Sequence, residues 1–331
     1  MRIIRNTSMD PYFNLAAEEY LLETSRGDVF MLWQNSPAVI IGKNQNTWAE
    51  VNTSFTEANG IAVVRRLTGG GAVFHDPGNV NFTFITDKGT DEGINFGVFI
   101  RPITRALAGL GIAAAADGRN DIVSGDFKIS GNAQCRYRRK DGTGRILHHG
   151  TLLYDAGLGA LAGALGVNEE KLRSKGIKSV TSRVKNIRDI GALTLTTEEL
   201  VAYLTDYAVR EYGSAAEGLS PDESEAVREL AESKYRTWEW NYGKSPECSI
   251  TKTKRFVWGT ATAGYTLERG AFAEVVLNGD FFGTGDTAPI TDALTGVRCE
   301  REAVTEALAS VQIDKIIAGA TAEDVAALLT E

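Results

Sequence analysis

The chain has little histidine and little cysteine, three of each in 331 residues. His75, His148 and His149 are too few for a histidine metal cluster, and the adjacent pair would face opposite ways on a strand and could not share one ion. Cys135, Cys248 and Cys299 form no C-x-x-C and leave an odd count, so neither a disulfide framework nor a zinc knuckle is suggested. No apolar run is long enough to span a bilayer, and residues 1–6 lack the apolar core of a secretory signal. A cytoplasmic location without membrane contact is therefore expected. The excess of acid, 43 Asp and Glu against 35 Lys and Arg, argues against general nucleic-acid affinity. Several catalytic signatures are absent as well, among them H-E-x-x-H and G-x-S-x-G. Gly243-Lys244-Ser245 has the end of a P-loop, but Trp238 stands where its upstream glycine belongs. Gly69-Gly70-Gly71 lacks the spaced third glycine of the dinucleotide fingerprint.

Against these absences stands the run Arg65-Arg66-Leu67-Thr68-Gly69-Gly70-Gly71-Ala72-Val73-Phe74-His75-Asp76. Residues 61–64 and 72–74 read as short strands, so the glycines read as a hairpin between them. Such glycines let a backbone approach a ligand closely, and their amides can point at anionic oxygens. An arginine beside them can hold a carboxylate or phosphate in bidentate fashion. The plain alternative is a glycine turn with two solvated arginines. Two basic islands sit on this acidic chain: Arg136, Arg138, Arg139, Lys140 and Arg145, and seven cations without an acid over residues 171–188. Each alone reads as a solvated loop, and together they fit a polyanionic ligand or an acidic partner.

Spacing predicts helices over 14–24, 53–58, 96–110, 197–212, 222–234, 301–309 and 321–329. Strands are predicted over 29–34 and 38–41, joined around Asn35-Ser36-Pro37, over 80–86, and repeatedly between 112 and 154. Residues 242–246 read as a linker, followed by strands over 255–267, 271–277 and 280–283. The expected division is 1–245 and a small α+β tail over 246–331.

Three more segments are dense in polar residues. Gly118-Arg119-Asn120-Asp121 is either a polar turn or a holder of sugar, phosphate or metal. In Phe127-Lys128-Ile129-Ser130-Gly131-Asn132-Ala133, Lys128 is either a surface lysine or a charge placed against a developing oxyanion. His148-His149-Gly150-Thr151 reads as one core and one solvent histidine, or as a glycine-opened ligand wall.

Taken in order with Lys175-Gly176-Ile177-Lys178-Ser179-Val180-x-Ser182-Arg183-Val184, these segments resemble the lipoate–protein ligase A family of the biotin/lipoate ligase superfamily. The resemblance runs from near the N-terminus to about residue 246, and the tail is similar to that family's accessory domain. It implies an α+β fold with a large mixed sheet and a small C-terminal domain. It also implies an ATP-dependent, AMP-forming ligase. Lipoate and MgATP would give lipoyl-AMP and pyrophosphate, and a lysine ε-amino group on an apo lipoyl domain would take the lipoyl group. Acceptors would be 2-oxo-acid dehydrogenase E2 subunits or the glycine-cleavage H protein, and the enzyme itself is expected to be a monomer.

By the same resemblance Lys128 is the catalytic charge on the adenylate. Arg66, Thr68, Gly69, Gly70, Gly71 and His75 would line the lipoyl and phosphate site, with Asn79 against adenine near Phe74. Asn120, Ser130, His149 and Thr151 would lie along the ligand, and Trp33 would wall the apolar slot. Lys178 and Ser179 would belong to a lid over residues 174–183. Asp121 is the candidate magnesium acid. Two alternatives remain. One is an ATP-independent octanoyl or lipoyl transferase using Cys135, a thiol beside Arg136 and Arg138. The other is a non-catalytic lipoate or adenylate sensor. Biotin ligation fits less well, because the Gly-Arg-Gly-Arg-type loop is absent.

Overall fold

A computed structural model describes residues 1–87, 95–117, 120–165, 184–243, 250–283 and 286–330. Its strands in chain order are β1 (Arg2–Arg5), β2 (Val29–Trp33), β3 (Ala38–Ile41), β4 (Ala62–Arg65), β5 (Val73–His75), β6 (Asn79–Thr86), β7 (Ala115–Asp117) and β8 (Asp121–Ser124). They continue with β9 (Phe127–Arg138), β10 (Gly144–Leu153), β11 (Ala216–Glu217), β12 (Ile250–Phe256), β13 (Gly259–Glu268) and β14 (Ala271–Gly279). The large sheet runs β11-β1-β2-β6-β10-β9-β8-β7. Its first three strands are parallel and the rest pair antiparallel, so the sheet is mixed.

The Pro11–Thr24 helix starts where Asp10 caps the Tyr12 amide and Pro11 takes the first helical position. It begins three residues before the predicted start, because the cap and not the apolar period sets the end. Leu15, Leu21 and Leu22 bury against Met31 and Leu147. At its other end Arg139 and Arg145 donate to the carbonyls of Leu22, Ser25 and Gly27. Those carbonyls lie at and just past the helix end, where the last turn's acceptors lack intrahelical partners. Two cations of the first basic island therefore serve the fold and not a ligand. Another core joins Phe30, Phe82 and Phe84 to the Gly97–Ala108 and Thr197–Tyr212 helices. The latter has the predicted bounds, set by the Thr196–Glu199 capping box and by Gly213 at φ 67°.

Two local expectations fail for one reason. β2 and β3 are consecutive, yet β2 joins the large sheet and β3 a separate three-stranded sheet, β4-β3-β5. β4 and β5 flank the glycines, yet they do not form a hairpin. β3 lies between them, parallel to β4 and antiparallel to β5. The glycine segment is thus a crossover spanning one strand. Adjacency in sequence suggested pairing, and burial of β3 on both edges decided otherwise.

The C-terminal part has its own antiparallel sheet, β12-β13-β14, and a separate core containing Tyr265, Phe272, Leu277, Ile290, Val304 and Val325. The predicted 255–267 strand is split by a turn at the exposed Val257, and Asp280-Phe281-Phe282-Gly283 is irregular rather than a strand. That irregular segment docks on the large domain. The Gly70 amide donates to the Phe281 carbonyl at 3.2 Å, and Gly279 donates to the Asn44 carbonyl at 2.7 Å. Phe282 enters the large domain's core edge-on to Phe96, centroids 5.3 Å apart. The architecture is α+β, with a large mixed sheet and two three-stranded ones. Among the described residues no helix is long and apolar enough to cross a membrane.

Candidate active site

β5, β6, β9 and β10 converge with the glycine crossover around a cavity of about 160 Å³. Leu15, Trp33 and Ile40, all nearly fully buried, form its apolar depth. Lys128, about one third exposed, stands at its mouth. Arg66, Gly70, Gly71, His75, Asn120, His149 and Thr151 also line it. The structure thus gathers nine of the expected site residues, Trp33 and Lys128 included, around one space.

The others lie close behind or elsewhere. Strand alternation sends Val73 and His75 into the cavity and Phe74 to the opposite side, where it packs with Val39, Ile41 and Val63. Asn79 is buried on β6 and donates to Asn81 Oδ1 at 2.8 Å. Ser130 is buried and accepts from Asn132 Nδ2. Asp121 pairs with Lys128 Nζ at 2.7 Å. Lys178 and Ser179 lie outside the described residues. Val184 bridges Lys128, and the Lys185 amide donates to the Lys128 carbonyl at 3.2 Å, so the chain leaving the 174–183 segment is pinned beside the lysine.

Arg65 and Arg66 are buried, not solvated. Arg65 donates to the carbonyls of Gly42, Lys43, Gln45, Trp240 and Asn241, and is a structural staple. Arg66 donates to the Ile40, Gly69 and Gly71 carbonyls and to Thr68 Oγ1, so most of its guanidinium braces the crossover. Burial pushes its pKa down to about 10, which leaves it charged at neutral pH. Its contribution to an anion is a near positive charge rather than the expected bidentate clamp.

The glycines divide their work. A Cβ on Gly69 would lie 2.1 Å from the Phe281 carbonyl oxygen, so this glycine admits the C-terminal segment, not a ligand. Gly70 has φ 89° and lends its amide to that same carbonyl. Gly71 is exposed, with nothing within 4 Å of a Cβ, and is the open one. Gly150 is needed because a Cβ there would meet Asn132 Oδ1 at 2.2 Å.

The two strand histidines part as expected, but neither is in solvent. His148 is buried among Phe82, Phe84, Phe96 and Phe99, and burial holds its pKa well below the ordinary value. His149 faces the cavity, with Nε2 2.8 Å from Thr68 Oγ1 and Nδ1 2.9 Å from Glu18 Oε1. This has the spacing of a nucleophile–base–orienter triad. Thr68, however, is fully buried and accepts from Arg66 Nε at 3.0 Å, so it orients His149 and does not attack. Glu18 also accepts from Thr83 Oγ1, which in turn accepts from Trp33 Nε1. One buried carboxylate thereby holds two cavity walls. No local signal in the sequence marks Glu18. Asn81 and Asn132 also line the cavity and were not expected to.

Cys135 is buried in the core with Leu21, Leu22 and Leu147, and burial pushes its thiol up to about 12. It does not line the cavity, so the thiolate activation considered from Arg136 and Arg138 does not occur.

Residues 10–208 match the family described as the lipoyl protein ligase A/B catalytic domain, and residues 245–329 match the bacterial lipoate protein ligase C-terminus. A lipoate-protein ligase of Bacillus subtilis strain 168, LplJ, is 40% identical over 320 residues, 95% of each chain. The chain belongs to the lipoate–protein ligase family. In three dimensions it is similar to P. falciparum LipL1 solved in complex with lipoate, at TM-score 0.77 and 25% identity over 94% of each chain. It is also similar to a lipoate-protein ligase A bound with ATP, at TM-score 0.59 and 26% identity, covering 73% of this chain and 98% of that one. Membership makes this chain a ligase by descent, and the site gives the residues with which it would act.

Proposed function

We propose that this chain activates lipoate with MgATP to lipoyl-AMP and then transfers the lipoyl group to the ε-amino group of a lysine on an apo lipoyl domain. The observation that carries the reading is the cavity itself: an apolar depth walled by Leu15, Trp33 and Ile40, with Lys128 at its mouth. An acyl chain fits the depth, and its carboxylate emerges where cations gather. A carboxylate oxygen attacks the α-phosphorus and pyrophosphate leaves. The acceptor amine then attacks the acyl carbon, loses a proton, and AMP leaves.

Neither step needs an enzyme nucleophile. Both need two anions held together, and Lys128 with the Arg66 charge behind it lowers that repulsion. We assign Lys128 to the carbonyl and phosphate oxygens, Gly71 to close backbone approach, and His149 and Thr151 to the wall along the ligand. Asn79 near Phe74 remains assigned to adenine, and Ser130 along the ligand, by family likeness. Lys178 and Ser179 remain assigned, by the same likeness, to the 174–183 segment over the adenylate.

Magnesium ions usually bind through one or two carboxylates plus substrate phosphates. Asp121, already paired with Lys128, fits that donor set, while no group of three or more metal-ligating side chains occurs among the described residues. The ion would neutralise phosphate charge there. We assign residues 1–245 to catalysis and 246–331 to an accessory role, supported by their separate cores. The acceptors proposed are the lipoyl domains of 2-oxo-acid dehydrogenase E2 subunits and the H protein.

The test is intact mass of an apo lipoyl domain incubated with this protein, lipoate and MgATP, beside an ATP-free control and an octanoyl-carrier-protein donor. A lipoyl-sized gain that requires ATP is expected. A gain from the carrier donor alone would overturn the reading. Lys128→Ala should abolish pyrophosphate release while the fold survives, since this side chain is about one third exposed.

A further inference from the structure

A chain of side-chain amides ends on His75. Asn6 Oδ1 accepts from the Ser8 amide at 3.1 Å, which turns its Nδ2 toward Asn14 Oδ1 at 2.9 Å. Asn14 Nδ2 then faces the Ser8 and Gln34 carbonyls and Asn35 Oδ1, at 2.9, 2.7 and 2.8 Å. Asn35 Nδ2 is left facing His75 Nδ1 at 3.0 Å. A side-chain amide's two ends are nearly alike in shape, so their assignment rests on the groups they meet. Here those groups are backbone: an N–H that can only donate, and two carbonyls that can only accept. They fix Asn6 and Asn14 independently and to the same sense. Asn35 must therefore present N–H to His75, and Nδ1 must offer a lone pair. The ring proton is left on Nε2.

That Nε2 is buried and has no hydrogen-bond partner, while His75 is 4% exposed and lines the cavity. A buried N–H without an acceptor is costly, and such groups in folded proteins call for an explanation. Trp33 packs edge-on to the ring, centroids 5.9 Å apart, and limits its rotation. A donor so fixed suits an oxygen that only accepts, as in a carboxylate or a phosphate.

We propose that Asn35 is a positioning residue that locks His75 as the neutral Nε2–H tautomer, and that this N–H donates to an anionic oxygen of the bound substrate. The oxygen belongs either to the acyl carboxylate or to the α-phosphate. This second half rests on the cavity being the acyl-adenylate site, whereas the tautomer does not.

The lock is read first in the free, full-length protein, from the ring nitrogen shifts of 15N-labelled histidine, with His75 assigned by its loss in His75→Gln. A protonated Nε2 and an unprotonated Nδ1 are expected. The reverse pattern, or an imidazolium at neutral pH, overturns the lock. Lipoate and ATP are then added separately. The substrate that shifts the Nε2 resonance supplies the acceptor, and no shift with either overturns the donor role. Asn35→Asp keeps the shape and puts an acceptor opposite Nδ1, so the proton should move there. Affinity for the same substrate should fall about tenfold, the value of one lost buried hydrogen bond. A switched tautomer with both affinities unchanged would also overturn the donor role. If Asn35→Asp fails to fold, the wild-type shifts decide alone. A wild-type lock in a protein that fails the mass assay would fault the functional reading and not the tautomer.

Discussion

Glu18 shows how one side chain can organise a site without touching its ligand. It is 1% exposed, accepts from His149 Nδ1 and Thr83 Oγ1, and through Thr83 steadies Trp33. Glu18→Gln keeps the shape but turns an N–H toward one of those donors. Stability should fall by about 1–3 kcal/mol, the cost of one unsatisfied buried group, read as a lower urea midpoint. Discrimination between lipoate and octanoate should weaken with it, because both walls loosen together. Cys135 makes the opposite case. Its thiol, pushed up to about 12 by burial, stays protonated at neutral pH. Cys135→Ser should keep ligase activity, and iodoacetamide should leave the native enzyme active. An inactive serine variant that remains folded would restore the thioester route.

At the scale of an element, the glycine crossover separates two jobs that three identical residues hide. Gly69 is closed by the Phe281 carbonyl and Gly71 is open. Gly69→Ala should lower the melting temperature, since the Cβ must displace backbone. Gly71→Ala should melt like wild type and bind lipoate or ATP more weakly. Equal behaviour of the two variants in both measurements would refute this division. The same segment explains what the hairpin reading missed. A turn between two short strands looks alike whether the strands pair with each other or with a third. Only the placement of β3 between them distinguishes the cases.

For the whole molecule, Phe282 and two backbone hydrogen bonds help join the parts, one at the crossover, where Gly70 donates to Phe281, and one just after β3, where Gly279 donates to Asn44. Phe282 sits in the core of the large domain although it follows the small domain's sheet. Phe282→Ala should cost about 3–5 kcal/mol, as for a buried phenylalanine truncated in a core. The loss should appear as two separated unfolding transitions where the wild type shows one. A single transition at the wild-type midpoint would mean that the parts do not rely on this contact.

Much was readable from the chain alone. The bounds of the Thr197–Tyr212 helix, closed by Thr196 and Glu199 three residues apart, were legible to the residue, whereas the start of the Pro11–Thr24 helix, capped by Asp10, was legible only to within three. The segments around Gly69, Lys128 and His149 are each contiguous, and their order carried the family resemblance, which the family matches bear out. What the sequence could not determine are relations between distant residues. Glu18 and His149 are 131 positions apart, and Gly69 meets Phe281 from another sheet system. Local spacing encodes hydrogen bonds within a turn of helix or along a strand. Burial of a charge, the direction of a guanidinium's donors and the tautomer of an imidazole depend on which chains pack around them, and only the tertiary structure supplies those neighbours.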